Sequence, residues 1–139
     1  MPEIGFLTEG IRFKLSNSRK TTQWLVSIAA QEGKTIESLT YIFSTDKYVS
    51  ALNQRYLKHN TLTDIITFDY SEGDGITGEV YISIPRVREN AKLFKQPFER
   101  ELRRVVAHGL LHLLGYKDKS PRQSARMRRK EEACLSLWL

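Results

Sequence analysis

With a single cysteine, Cys134, among 139 residues, the chain cannot close an intramolecular disulfide, and such thiol usage fits a reducing compartment. Cys134 itself reads as a small core residue of the last helix. Long apolar runs are also missing. No window reaches the roughly 18 residues of a membrane span, and the start Met1-Pro2-Glu3-Ile4-Gly5-Phe6 has no positive stretch leading into an apolar one. The expectation is a cytoplasmic protein with no membrane contact and no disulfide partner. No repeat, low-complexity tract or linker divides the chain, so residues 1–139 are expected to form one domain. Its 27% charged and 40% hydrophobic content is that of a soluble globular protein. Acidic side chains are absent from one stretch in particular, Lys119 to Lys130, within a chain of net charge +6.

Just before that stretch stands His108-Gly109-Leu110-Leu111-His112-Leu113-Leu114-Gly115-Tyr116-Lys117-Asp118. A helix turns about 100° per residue, so His108 and His112 at i and i+4 share one face and can close on one ion. Gly115 accepts the left-handed backbone that ends helices, which lets the chain double back and bring Asp118 under the two imidazoles. Three protein ligands leave a coordination position for water, the mark of a catalytic zinc site as against a closed structural one. The expected cofactor is one Zn2+ per chain on His108, His112 and Asp118. The H-x3-H-x2-G-x2-D spacing resembles that of metzincin proteases with Asp in place of their third His. One residue is lacking, however. Where H-E-x-x-H carries its general base, this chain has Gly109.

The basic stretch begins directly after the motif. Lys119, Arg122, Arg126, Arg128, Arg129 and Lys130 are its charged residues, and Arg122, Arg126, Arg129 and Lys130 fall at i, i+4, i+7 and i+8. That spacing lines one helix face, with Glu131 and Glu132 partly neutralising it. Beside a hydrolytic metal site, such a face points to a polyanionic substrate bound through its phosphates.

Local patterns place these motifs on elements. Residues 4 to 15 contain a weakly strand-like segment in which Ile11, Phe13 and Leu15 alternate with Arg12 and Lys14. Asn17 or Ser18 is expected to cap a helix running to about Gly33. Leu39 to Ser44 reads as a strand, and Thr45 as the N-cap of a helix containing Tyr48, Val49, Leu52 and Tyr56. Thr63 to Asp69 and Gly78 to Ile84 are short strands flanking a Ser71–Thr77 loop. Pro85 starts a helix to Phe94, and Pro97 opens the long apolar helix that carries the two histidines. Ser120-Pro121-Arg122-Gln123 has the form of a capping box before a final helix. The order β, α, β, α, β, β, α, α, α implies an α+β domain.

The His108–Asp118 motif, with Leu52-Asn53, Thr63-Asp64-Ile65-Ile66-Thr67-Phe68 and Gly78-Glu79-Val80-Tyr81-Ile82-Ser83 upstream of it, resembles the YbeY family of bacterial endoribonucleases. That family is characterised by H-G-x-L-H-L-x-G-Y-D-H, a T-D-V-L-S-F strand and a G-D-I strand, in the same order and spacing. The resemblance implies about four strands in a small mixed sheet packed with about five helices, with the metal motif on a buried central helix. It also implies zinc at the three motif positions and single-strand-specific RNase activity in ribosomal RNA maturation and ribosome quality control. Three positions depart from the pattern. Asp118 and Lys117 stand where the family usually has His and Asp, and Leu57 stands where an L-N-x-x-[FY]-R pattern has an activity-associated arginine. Aspartate remains a sound oxygen ligand, whereas leucine cannot hold a phosphate.

The expected reaction is metal-assisted phosphodiester hydrolysis, with His108, His112 and Asp118 as the catalytic set and activated water as the nucleophile. The 2′-OH is an alternative nucleophile. Arg55, Lys58 and His59 near the missing arginine, and Arg122, Arg126 and Arg129 on the last helix, are the candidate contacts to single-stranded RNA. Two other readings are a non-catalytic ribosome-assembly factor that binds RNA and a small metallopeptidase.

Overall fold

The computed structural model describes residues 2–57 and 63–139, at Leu57 the backbone alone. Strands β1 (Glu3–Glu9), β2 (Thr35–Ser44), β3 (Ile65–Asp69) and β4 (Gly75–Ser83) form one sheet in the order β1-β2-β4-β3. β1 and β4 run parallel to β2, and β3 runs antiparallel to β4. The described helices are α1 (Ser18–Gln31), α2 (Asp46–Leu57), α3 (Ile84–Leu93), α4 (Phe98–Leu113) and α5 (Pro121–Ser136). This is the α+β arrangement of a mixed sheet with helices that the sequence implies.

Side-chain alternation decides which face of the sheet is covered. Along β4, Ile76, Val80 and Ile82 are buried while Thr77, Glu79 and Tyr81 are half-exposed, the period of two that a pleated strand imposes. The buried face carries α4, whose Leu102, Val105, Val106, Leu110 and Leu113 recur at helical spacing and are all buried. Each such side chain contributes roughly 1.5–3 kcal/mol of transfer free energy. Two contacts fix the helix over the sheet. The Tyr41 hydroxyl donates to the Val106 carbonyl at 2.8 Å. At Gly109 an added Cβ would stand 2.8 Å from Val80 Cγ1, so only glycine allows this approach. α5 packs beside α4 and is tied to α1 by the Trp24 indole N–H, which donates to the Cys134 carbonyl at 2.8 Å. On the opposite face, α2 lays Tyr48 and Tyr56 against Tyr81 and Phe68, with ring centroids 6.2 and 5.7 Å apart.

Several boundaries differ from the sequence reading. The alternation at Ile11, Phe13 and Leu15 belongs to no strand. β1 ends at Glu9, Gly10 turns with φ +68°, and the three apolar side chains pack on the core without a ladder. Phe13 meets Phe43 edge-on at 5.2 Å. β2 and β4 begin at Thr35 and Gly75, before their apolar cores, because backbone pairing extends through polar residues across a bulge between Ile36 and Ser38. β3 starts at Ile65 rather than Thr63, whose hydroxyl accepts the Ile65 N–H at 3.3 Å. Asn17 occupies the N-cap of α1 in a left-handed conformation, yet its side chain makes no capping bond. The capping box at Ser120 and Gln123 forms as expected.

Cys134 is buried on α5, and burial pushes its thiol up to about 11. Both effects suppress the reactive thiolate at neutral pH. Iodoacetamide at pH 8 is therefore expected to leave the native chain unmodified over a period in which the urea-unfolded chain is fully alkylated, as read by intact-mass spectrometry. Equal labelling of the two would show that α5 opens readily.

Candidate metal centre

The C-terminal end of α4 turns the motif back on itself. Gly115 has φ +106°, its N–H donates to the His112 carbonyl at 3.0 Å, and the Tyr116 N–H donates to the Leu111 carbonyl at 3.0 Å. This pair of bonds is a Schellman motif, and it reverses the chain within three residues. Tyr116 then anchors the returning arm. Its hydroxyl donates to Glu32 Oε1 at 2.7 Å, and Glu32 accepts from Lys130 Nζ at 2.9 Å. Hydrogen bonds from Lys130 and Tyr116 hold the Glu32 carboxyl below its usual range. On the far side of the arm, the Ser124 hydroxyl donates to the Asp118 carbonyl at 3.0 Å.

Asp118 is thereby brought to both histidines. Its Oδ2 lies 3.4 Å from His108 Nε2 and its Oδ1 lies 3.5 Å from His112 Nε2. One ligand atom from each of the three residues falls within 4.8 Å of the others. Two donors about 2.1 Å from a tetrahedral ion stand roughly 3.4 Å apart, so each imidazole stands at that spacing from one of the two oxygens of the carboxylate. The donor set is also chemically apt, two imidazoles and one carboxylate. Burial and the neighbouring His108 lower the His112 pKa, which keeps its ring neutral and its lone pair available at pH 7. These residues can hold a divalent ion.

A second layer lies behind His108. Its Nδ1 lies 2.5 Å from Glu131 Oε2, and Arg104 Nη1 donates to Glu131 Oε1 at 2.8 Å. Arg104 is in turn held by both oxygens of Glu101, from Nε at 3.0 Å and from Nη2. Burial alone would raise the Glu131 pKa, but the bonds from His108 and Arg104 outweigh it and the carboxyl stays below its ordinary value. Asp64, before β3, also faces this region. It accepts from the Asn90 amide at 3.4 Å, and burial raises its pKa against the opposing charges of Arg104 and His108.

The family model described as Endoribonuclease YbeY matches residues 4–138. The chain belongs to the YbeY family. A relative from Flavobacterium psychrophilum named Endoribonuclease YbeY is 50% identical over 128 residues, covering 92% of this chain and 91% of its own. Another of that name, from Phocaeicola vulgatus, is 44% identical over 134 residues, with 96% and 97% coverage. A solution structure of a Thermotoga maritima protein superposes with a TM-score of 0.66 at 30% identity, covering 96% of this chain and 87% of that one.

The remaining candidate residues of this YbeY-family chain are scattered. Arg122, Arg126 and Arg129 are exposed on α5, and Arg126 stacks over the Tyr116 ring at 5.0 Å. Lys130, read from its spacing as a fourth member of that face, is instead committed to Glu32. Arg55 is exposed near the end of α2 and lies over the Tyr56 ring at 5.4 Å. Lys58 and His59 lie outside the described residues.

Glu131 is the residue that sequence reasoning misassigned. Counted along the chain it neutralises a basic face, whereas it is 2% exposed and turned inward. The signal was available. Met127, Glu131, Cys134 and Leu135 form the buried stripe of α5, so a carboxylate occupies a position that helical spacing reserves for the core.

Proposed function

We propose that this YbeY-family chain is a zinc-dependent, single-strand-specific endoribonuclease of ribosomal RNA processing and ribosome quality control. It works in the cytoplasm as one domain spanning residues 1–139, with His108, His112 and Asp118 as its metal ligands and catalytic set. The observation that carries the reading is the pair of carboxylate-to-imidazole spacings, 3.4 and 3.5 Å, at the motif of an endoribonuclease family. When bound, the ion supplies Lewis acidity toward a phosphodiester oxygen and an attacking water.

The chain's own groups do the rest. His108 and His112 present imidazole nitrogens and Asp118 a carboxylate to one point, a donor set suited to a divalent cation. Gly109 leaves no side chain where a peptidase keeps its base, which disfavours peptide hydrolysis. Exposed guanidinium groups at Arg55, Arg122, Arg126 and Arg129 supply charge for the substrate backbone.

The test is cleavage of a single-stranded ribosomal RNA fragment by purified protein of measured metal content, with and without chelator. Zinc near one equivalent and chelator-sensitive, zinc-restored cleavage are expected. Products ending in 5′-phosphate indicate water as nucleophile, and 2′,3′-cyclic phosphate indicates the 2′-OH. Binding without cleavage by the zinc-loaded protein would favour the non-catalytic assembly factor, in keeping with Leu57 at the family's arginine position.

A triple variant tests the substrate face. Replacing Arg122, Arg126 and Arg129 with alanine is expected to weaken RNA binding and to flatten its salt dependence by about 0.7 log-log units for each phosphate no longer neutralised. Affinity for different sequences should fall by similar factors, because backbone contacts position without reading bases. Zinc content should not change. An unchanged salt slope in filter binding would mark these arginines as a solvated surface.

A further inference from the structure

We propose that Glu131 is a positioning residue that fixes His108 in its metal-binding tautomer, and that Arg104 is what makes a carboxylate, rather than an amide, necessary there. The inference rests on the metal-dependent reading above and extends it to groups that touch neither ion nor substrate. A neutral imidazole carries one proton, and only the nitrogen without it can ligate. His108 has Glu131 at Nδ1 and Asp118 at Nε2. Both carboxylates can only accept, and Glu131 at 2.5 Å is far nearer than Asp118 at 3.4 Å, so Glu131 draws the proton to Nδ1 and leaves the Nε2 lone pair facing the ligand cluster.

A buried ion pair is a poor device for stability, since apolar residues of the same volume commonly do as well. The Glu101–Arg104–Glu131 network is buried at both carboxylates, at 2% exposure each, and so calls for another explanation. Its geometry supplies one. Arg104 Nη1 takes one oxygen of Glu131, and the other is left for His108. Glutamine in the same place has a single acceptor oxygen. Arg104 has no acceptor to offer and would claim that oxygen, which turns the amide NH2 toward His108 Nδ1. The ring would then accept at Nδ1 and carry its proton on Nε2, blocking the ligating atom. Glu101 completes the device by holding Arg104 with two bonds, so that the guanidinium cannot turn away.

The experiment uses the full chain and Glu131→Gln, with Zn2+ itself as the probe. Competition against a chromophoric chelator is expected to show affinity lower by about 10–100-fold, the usual cost of losing an outer-layer partner. Circular dichroism and Tm establish that the variant is folded. The second readout is the histidine tautomer. The chain has 3 histidines, and selective 15N-histidine labelling distinguishes Nδ1–H from Nε2–H rings. Metal-free parent protein is expected to show His108 as Nδ1–H, and Glu131→Gln as Nε2–H.

Equal zinc affinity in folded parent and variant would overturn the inference while leaving the metal reading intact. So would an Nε2–H ring at His108 in the parent, a result that holds even where the variant fails to fold. Failure of the parent to bind zinc would instead overturn the metal reading itself.

Discussion

Alanine at position 118 is expected to strip the protein of its metal and of its RNase activity while leaving the fold intact. The Asp118 side chain is 38% exposed, and the bond from Ser124 goes to the main-chain carbonyl, which the substitution keeps. What disappears is one of the three candidate donors. Metal affinity should therefore fall by more than the roughly 10–100-fold that loss of an outer-layer partner costs, and chelator-free cleavage should drop to background at micromolar zinc. Asp118→His should restore both in large part, since imidazole is what the family pattern places there and the Schellman turn already delivers the side chain to the site. Metal analysis after dialysis, alongside a single-stranded RNA assay, decides the matter. Equal zinc in parent and alanine variant would remove Asp118 from the ligand set.

Glutamate at position 109 would recreate the H-E-x-x-H of metallopeptidases on paper and is expected to unfold the protein instead. Gly109 faces the sheet, where an added Cβ alone meets Val80 Cγ1 at 2.8 Å and Ile65 Cδ1 at 3.2 Å. Val80 is fully buried on the strand between β2 and β3 and has nowhere to go. For Gly109→Ala, overpacking of about 1–3 kcal/mol outweighs a helix-propensity gain of up to about 1 kcal/mol, so Tm should fall by several degrees. For Gly109→Glu, a carboxylate driven into the same apolar contact adds several kcal/mol more, a large share of the roughly 5–15 kcal/mol that holds a typical domain together. Thermal denaturation of the two variants orders them. A Gly109→Ala variant as stable as the parent would show that α4 can lift from the sheet.

The close packing at Gly109 also shows how far the sequence reads. The absence of a base was visible in the motif, but its cause was not, because the neighbours that exclude a side chain lie on strands 29 and 44 positions away in the chain. Asp118 was legible for the opposite reason. Helix period and a left-handed glycine are local, and together they bring Asp118 to the two imidazoles without reference to the rest of the fold. Glu131 was hidden by reading charge along the chain rather than around the helix, where its place between Met127 and Cys134 marks it as buried. Lys130 was misread because its partner, Glu32, sits at the far end of α1. The strand at the N-terminus was displaced by a true alternation at Ile11, Phe13 and Leu15 that reflects burial every second residue without a ladder.

The hydroxyl of Tyr41 donates to the carbonyl of Val106, two residues before His108, and so ties the backbone of α4 to an inner strand of the sheet. The amides around Val106 and Leu110 should then exchange with solvent only when the sheet itself comes apart, in the slowest class of openings the protein has. The two histidines ride on that segment. Asp118 rides on a half-exposed arm beyond Gly115 instead, held by Tyr116 and Ser124. Of the segments that carry the three candidate ligands, that arm is the one that can part from the others without global unfolding, so the lifetime of an ion held there is expected to follow how often the Tyr116 anchor lets go.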